Sequence, residues 1–198
     1  MIKFKTINPE IPYLIFKEKY NSALDACQNN IEAIVISSYN NKNKEVDSRY
    51  VNLKFVDDNK FIFFSNYNSP KSNAFITHNQ ISALIYWPSI NFQIRIKAVI
   101  NKTSKEYNDE YFKERSIYKN ALAISSKQSM PIKSYEDVKK NYSNSLNSDN
   151  LVECPEYWGG CFFIPYYFEF WEGHDSRLNK RNVYEMISKE WHHYILQP

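Results

Sequence analysis

The chain has 198 residues, 43% hydrophobic and 24% charged, with 16 Tyr and 13 Phe; this is enough for one domain with a sizeable core and excludes a disordered chain. A net charge of +3 carried on dispersed lysines gives no basic stripe for a nucleic-acid backbone. No apolar run approaches the roughly 20 residues of a membrane helix, and the start Met1-Ile2-Lys3-Phe4-Lys5 lacks a secretory core, so no membrane partner and a cytoplasmic location are expected.

In chain order, Leu14, Ile15, Tyr20, Ala23, Leu24 and Cys27 fall at helical spacing after Pro12, predicting a first helix over residues 13–29 that stops at Asn29-Asn30. Strand-like runs follow at 33–36, 49–56 and 61–65, separated by Asn/Lys/Asp turns. In the second run, alternation puts Arg49 and Lys54 on opposite faces. Ser69-Pro70-Lys71 opens a short helix to His78, with Ser69 as its cap, Pro70 in the first turn, and that first turn a potential anion site. Strands at 81–87 and 92–103 precede a charged helical region from 104 to about 125, in which Tyr107, Tyr111 and Phe112 recur on one side. Residues 130–156 predict one helix at 135–142 and a loop, so 104–150 reads as a helical insertion. Strands at 161–171, 182–187 and 191–196 close the chain, with Glu169 and Trp171 facing away from Phe168 and Phe170. The expectation is a mainly β fold, an antiparallel split β-barrel with peripheral helices, in a single domain over 1–198 with its N-terminal helix region at 1–30.

Several chemistries drop out. Cys27, Cys154 and Cys161 form neither a C-x-x-C pair nor an even framework, and His78, His174, His192 and His193 lack ligand spacing, so no disulfide scaffold or metal site is expected. H-E-x-x-H and G-x-S-x-G are absent. Only three glycines occur, none before Gly159, so neither a P-loop nor G-x-G-x-x-G can cradle a phosphate, and side chains must hold any phosphate present. Lysine serves as the generic cation; the five arginines, Arg49, Arg95, Arg115, Arg177 and Arg181, are candidates for fork-shaped recognition.

One ordered set of motifs remains. Arg49-x-x-x-x-Lys54, Phe64-Ser65, Ser69-x-Lys71, an inner-strand Gln93, Lys127-Gln128-Ser129, Trp158-Gly159-Gly160, Phe170-Trp171 and Arg177-Leu178-x-x-Arg181 together resemble the pyridoxamine 5′-phosphate oxidase family from roughly Asn8 to Pro198. The resemblance implies an FMN-binding split barrel in which Arg49, Phe64, Ser65, Ser69, Lys71, Gln128 and Ser129 hold the cofactor, chiefly at its phosphate and ribityl chain. It further implies that Gln93, Trp171 and Arg181 line the flavin, supplying donors that stabilise its reduced form. Lys54, Tyr111 and Arg115 match a clamp on the substrate phosphate, Arg177 matches a catalytic arginine over the substrate ring, and a homodimer with FMN between subunits follows. The implied reaction is oxidation of pyridoxamine or pyridoxine 5′-phosphate to pyridoxal 5′-phosphate, with O2 as acceptor and hydrogen peroxide as product.

Four features depart from the family pattern. Lys119 stands where the family has the clamp's serine, Asn179 where it has a histidine, and Pro70 where it has a cofactor-contacting arginine; the Arg- and Tyr-bearing N-terminal cover has no counterpart. Lys119 adds charge to a donor position, whereas Asn179 keeps a hydrogen bond but cannot carry a proton as imidazole does. Two alternatives therefore stay open: a related split-barrel flavin oxidoreductase acting on a different anionic or aromatic substrate, or a flavin-binding protein without turnover.

Overall fold

Alternating burial builds the sheet. In the strand from Phe92 to Lys102, Phe92, Ile94, Ile96, Ala98 and Ile100 point into the core while Arg95 and Lys97 face solvent. The computed structural model describes residues 1–147 and 150–198. In it, ten strands join one sheet: β1 (Lys3–Ile7), β2 (Ala33–Asn40), β3 (Glu45–Asn52), β4 (Phe55–Asp58), β5 (Lys60–Asn66), β6 (Gln80–Trp87), β7 (Phe92–Lys102), β8 (Trp158–Glu172), β9 (Lys180–Ile187) and β10 (Glu190–Leu196). Their order is β1-β4-β5-β8-β7-β6-β2-β3, with β9 and then β10 added beside β8.

The sheet divides along β8. Its first half, Trp158 to Phe163, pairs with β5, and its last half, Tyr167 to Glu172, pairs with β9, while β7 runs along the other edge from Cys161 to Glu172. The change of partner falls around Pro165, which has no N–H to donate, and the β7–β8 register shifts at the same place. This is the mainly β split barrel expected from the sequence, with one correction: β1 and β4 run parallel. The chain between them passes through a helix and the β2–β3 hairpin, giving the long crossover that a parallel pair needs.

Helix α1 (Ile11–Asp25) covers the core. Its buried face is Tyr13, Phe16, Tyr20 and Ala23, whereas Leu14 and Leu24, expected inside, are exposed. Aromatic fit decides this: the Phe16 ring sits 5.0 Å from Phe61, and Tyr13 meets Phe168 edge-on at 5.4 Å. Burying Phe16 completely contributes about 2–3 kcal/mol. The helix ends at Asp25, short of the expected Asn29 stop, because Cys27 turns left-handed.

Three further expectations change. The run 49–56 is two strands, interrupted at Leu53 and Lys54, whose N–H groups bond to Glu32 and Ile62 carbonyls outside the β3 ladder. The helical stretch 104–125 divides into α3 (Lys105–Glu114) and α4 (Ile117–Ser125), with Arg115 and Ser116 extended between them. Helix α5 (Tyr135–Leu146) runs one turn beyond 142, capped by Ser134, whose hydroxyl accepts from Asp137 N at 3.1 Å. Of the expected 143–156 loop, residues 148 and 149 lie outside the described residues. None of the described helices is long and apolar enough to cross a membrane.

Candidate active site

A cavity of about 990 Å³ opens between β1, β3, β5 and the α3–α4 corner. Seven basic side chains line it, Lys3, Lys5, Arg49, Lys54, Lys71, Arg115 and Lys119, against two acidic ones, Glu110 and Glu114. Such an excess, with walls that exclude water, concentrates positive potential inside.

Its inner end is built where β5 runs into α2 (Pro70–Thr77). Lys71 is 7% exposed, and its ammonium donates only to neutral oxygens, Gln128 Oε1 at 2.9 Å and Ser69 Oγ at 3.1 Å. Burial, reinforced by the charge of Arg49, lowers its pKa to about 8. Gln128 Oε1 also accepts from Ser65 Oγ at 3.2 Å, and Ser129 beside it takes a left-handed conformation at φ 65°. Arg49 reaches this end from β3, donating to Ser38 Oγ at 2.8 Å and the Ile36 carbonyl at 3.1 Å, with the exposed Asp47 as its ion pair. Ser69 holds the N-cap position of α2 as expected, but its side chain makes no capping bond: its hydroxyl donates to the Asn66 carbonyl at 2.7 Å and accepts from Lys71 at 3.1 Å.

One wall of the cavity is aromatic. Phe64 stacks on Tyr111 at 3.9 Å between centroids and on Trp158 at 5.2 Å, the latter nearly parallel at 12°. Phe55 and Tyr107 extend this surface, and the Lys5 ammonium lies 4.6 Å and 4.7 Å from their ring centres.

The outer end gathers Lys54, Arg115 and Lys119. Burial lowers the pKa of Lys54; Glu32 opposes this, while Lys119 and Arg115 add to it. Arg115 lies 4.3 Å over the Trp158 ring, and its NH1 nitrogen is buried without a hydrogen-bond partner among the described residues. No carboxylate lies within ion-pair distance of these three cations among the described residues.

The remaining candidates lie elsewhere on the chain. Gln93, Trp171 and Arg181 sit side by side on β7, β8 and β9, paired in register. Trp171 is 13 residues along β8 from Trp158, a contour of roughly 40 Å at about 3.3 Å per residue. Arg177, left-handed at φ 62°, and Asn179 occupy the exposed turn before β9, where Asn179 Oδ1 accepts from His174 N at 3.1 Å. Arg181 is fixed by Glu169, 1% exposed, which accepts from Arg181 Nε at 2.9 Å and also pairs with Arg95 at 2.7 Å.

The cavity also uses residues that the sequence did not single out. Lys3, Phe4 and Lys5 of β1 form part of its wall, and the alternation Ile2-Lys3-Phe4-Lys5 was the available signal for that strand. Tyr107 and Phe55 join as aromatic lining; away from the cavity, Glu169 is the buried anchor of Arg181.

Comparison with known proteins identifies the family and the fold. Residues 158–198 match the family described as "Pyridoxine 5′-phosphate oxidase C-terminal dimerisation region". Pyridoxine/pyridoxamine 5′-phosphate oxidase of Cytophaga hutchinsonii is 37% identical over 175 residues, covering 86% of this chain and 80% of that protein. The enzyme of the same name from Legionella pneumophila strain Lens is 37% identical over 191 residues, covering 94% and 87%. Among solved structures, PhzG from Burkholderia lata 383, in complex with tetrahydrophenazine-1-carboxylic acid, superposes with a TM-score of 0.90 at 24% identity, covering 96% of this chain and 94% of that one. A pyridoxamine 5′-phosphate oxidase-related, FMN-binding protein from Nostoc punctiforme follows at 0.78 and 12% identity, covering 96% and 99%; both likenesses establish the fold. With relatives at this identity over most of its length, the chain belongs to the pyridoxine/pyridoxamine 5′-phosphate oxidase family of oxidoreductases.

Proposed function

We propose that this chain binds FMN and oxidises pyridoxamine or pyridoxine 5′-phosphate to pyridoxal 5′-phosphate, with O2 as acceptor. The observation that carries this reading is a cavity with two cationic ends separated by an aromatic wall. A buried ammonium without a counter-ion, as at Lys71, is costly unless an anion arrives, and the donor set Lys71, Arg49, Ser65 and Ser129 suits a phosphate monoester. The inner end would thus hold the FMN phosphate, and Lys54, Tyr111 and Arg115 the phosphate of the substrate.

When bound at these residues, FMN would supply the hydride acceptor, with O2 as the final acceptor and hydrogen peroxide as product. The protein's part is orientation and exclusion of water. Arg115, held over Trp158, anchors one end of the substrate, and Arg177 sets the substrate ring. The Gln93–Trp171–Arg181 group and the Arg177 turn are read as completing the site of a second copy, as the family resemblance implies, in a homodimer with FMN between subunits; their offset from the Trp158 end, a contour of roughly 40 Å along β8, and the match of residues 158–198 to a dimerisation region support this reading.

A test follows directly. Purified protein reconstituted with FMN should be yellow, be bleached anaerobically by pyridoxine 5′-phosphate, and release peroxide when air is admitted. Protein that cannot be reconstituted with FMN would overturn the whole reading. Bound FMN that neither vitamer phosphate reduces would favour another anionic or aromatic substrate, which the Asn179–His174 contact and Lys119 motivate, or a flavin-binding protein without turnover.

A further inference from the structure

The break between α3 and α4 brings an additional charge to the outer end of the cavity. Arg115 closes α3 in an extended conformation, Ser116 opens α4, and Lys119 follows within its first turn, its N–H bonded to the Ser116 carbonyl at 2.9 Å. A continuous helix would have carried residues 115 and 119 along one straight face; the corner instead sets both into the wall shared with Lys54. The acidic groups nearby are few. Glu110 and Glu114 line the same cavity from α3, and Glu32 is tied to the N-terminal ammonium at 3.2 Å. Lys3 and Lys5 add further positive charge from β1. With three cations and an unpartnered buried guanidinium nitrogen, the outer end is over-supplied for a single negative charge.

We propose that Lys119 is a specificity-determining residue, which makes the outer end select a doubly charged phosphate ester over a singly charged group such as a carboxylate. This rests on the reading of the outer end as the substrate-phosphate site. A phosphate monoester is largely dianionic above its second pKa of about 6 and offers three acceptor oxygens. Arg115 and Lys54 match two of them, and Lys119 matches the second charge. A carboxylate has one charge and two oxygens, so it leaves the third cation without a partner. Lys119 is itself exposed, so its contribution is that of one charge-assisted contact in partly wet surroundings.

The test compares FMN-loaded wild type, K119S and K119R. In K119S, KM for pyridoxine 5′-phosphate and the inhibition constant of inorganic phosphate should rise roughly tenfold, with the loss carried by KM rather than kcat. Inhibition by formate should change by less than about twofold. K119R should restore phosphate binding. Unchanged phosphate inhibition in K119S, or equal weakening of phosphate and formate, overturns the proposal. If the wild type does not oxidise pyridoxine 5′-phosphate, the assigned reaction fails. Calorimetric titration with inorganic phosphate then still decides the role of Lys119, the same tenfold loss in K119S supporting it and no loss refuting it.

Discussion

Glu169, 1% exposed, receives Arg181 through both Nε and NH2, at 2.9 Å and 2.8 Å, and so fixes a guanidinium in the middle of the β8–β9 pair. Tyr167 adds a hydrogen bond at 3.1 Å and Arg95 a second ion pair. Removing one partner from such a group leaves the others uncompensated, but Arg95 is about half exposed and can turn to water. E169A should therefore cost about 2–3 kcal/mol, at the lower edge of buried-pair losses, and E169Q less. Urea unfolding checks this as a lower midpoint at unchanged slope; a wild-type midpoint in E169A would show that the carboxylate does not hold this end of the sheet.

Lys71 should make FMN binding depend on pH. Its ammonium loses its proton at about pH 8 in the folded chain, against an ordinary value of 10.5. Between those values the unfolded chain binds a proton that the folded chain has released, so the stability of the ligand-free protein rises with pH across that window. Cofactor affinity runs the other way, because the phosphate needs the charged form: it should be level below about pH 8 and fall above it. Fluorescence titration of FMN from about pH 6.5 to 9.5 reads this out. K71M should weaken binding by roughly 10- to 100-fold and abolish the pH dependence.

Gly159 is a point of close approach between backbone and side chains. A Cβ there would overlap the Tyr67 hydroxyl and the Asn108 amide. Neither can withdraw freely: Asn108 accepts from Gly160 N at 2.8 Å and donates to Tyr67 at 3.1 Å, and Tyr67 donates to the Gly160 carbonyl at 2.9 Å. G159A should destabilise by about 1–3 kcal/mol, lowering the melting temperature by roughly 3–10 °C.

Arg177 should separate turnover from cofactor retention. Its side chain is exposed and far along the chain from Lys71, so R177A should suppress oxidation of pyridoxine 5′-phosphate by at least about tenfold while FMN stays bound. Loss of FMN from R177A, seen as a colourless protein after gel filtration, would contradict the division of the site.

The sequence made the barrel legible where its strands alternate. Burial in β2, β6 and β7 follows a period of two, whereas both faces of β8 are covered near Glu169 and Phe168. What it concealed lies where regularity stops. Arg49 and Lys54, five residues apart, belong on opposite faces of one strand; the break at Leu53 turns both into the cavity. Arg115 and Lys119 likewise look like neighbours on one helix until the α3–α4 corner redirects them. Local periodicity cannot report such interruptions, because long-range bonds impose them, as when Leu53 N reaches the Glu32 carbonyl.

The span of β8 has a consequence for inheritance of activity. If each working site takes Arg115 from one copy and Arg177 from the other, a chain that lacks Arg115 and a chain that lacks Arg177 are damaged in different halves. Each alone forms a dead homodimer. Refolded together, half of the assemblies are mixed, and every mixed pair contains one site with both defects and one with neither. Two inactive preparations should then yield about one quarter of wild-type activity, and an unbroken zero would mean that each subunit works alone.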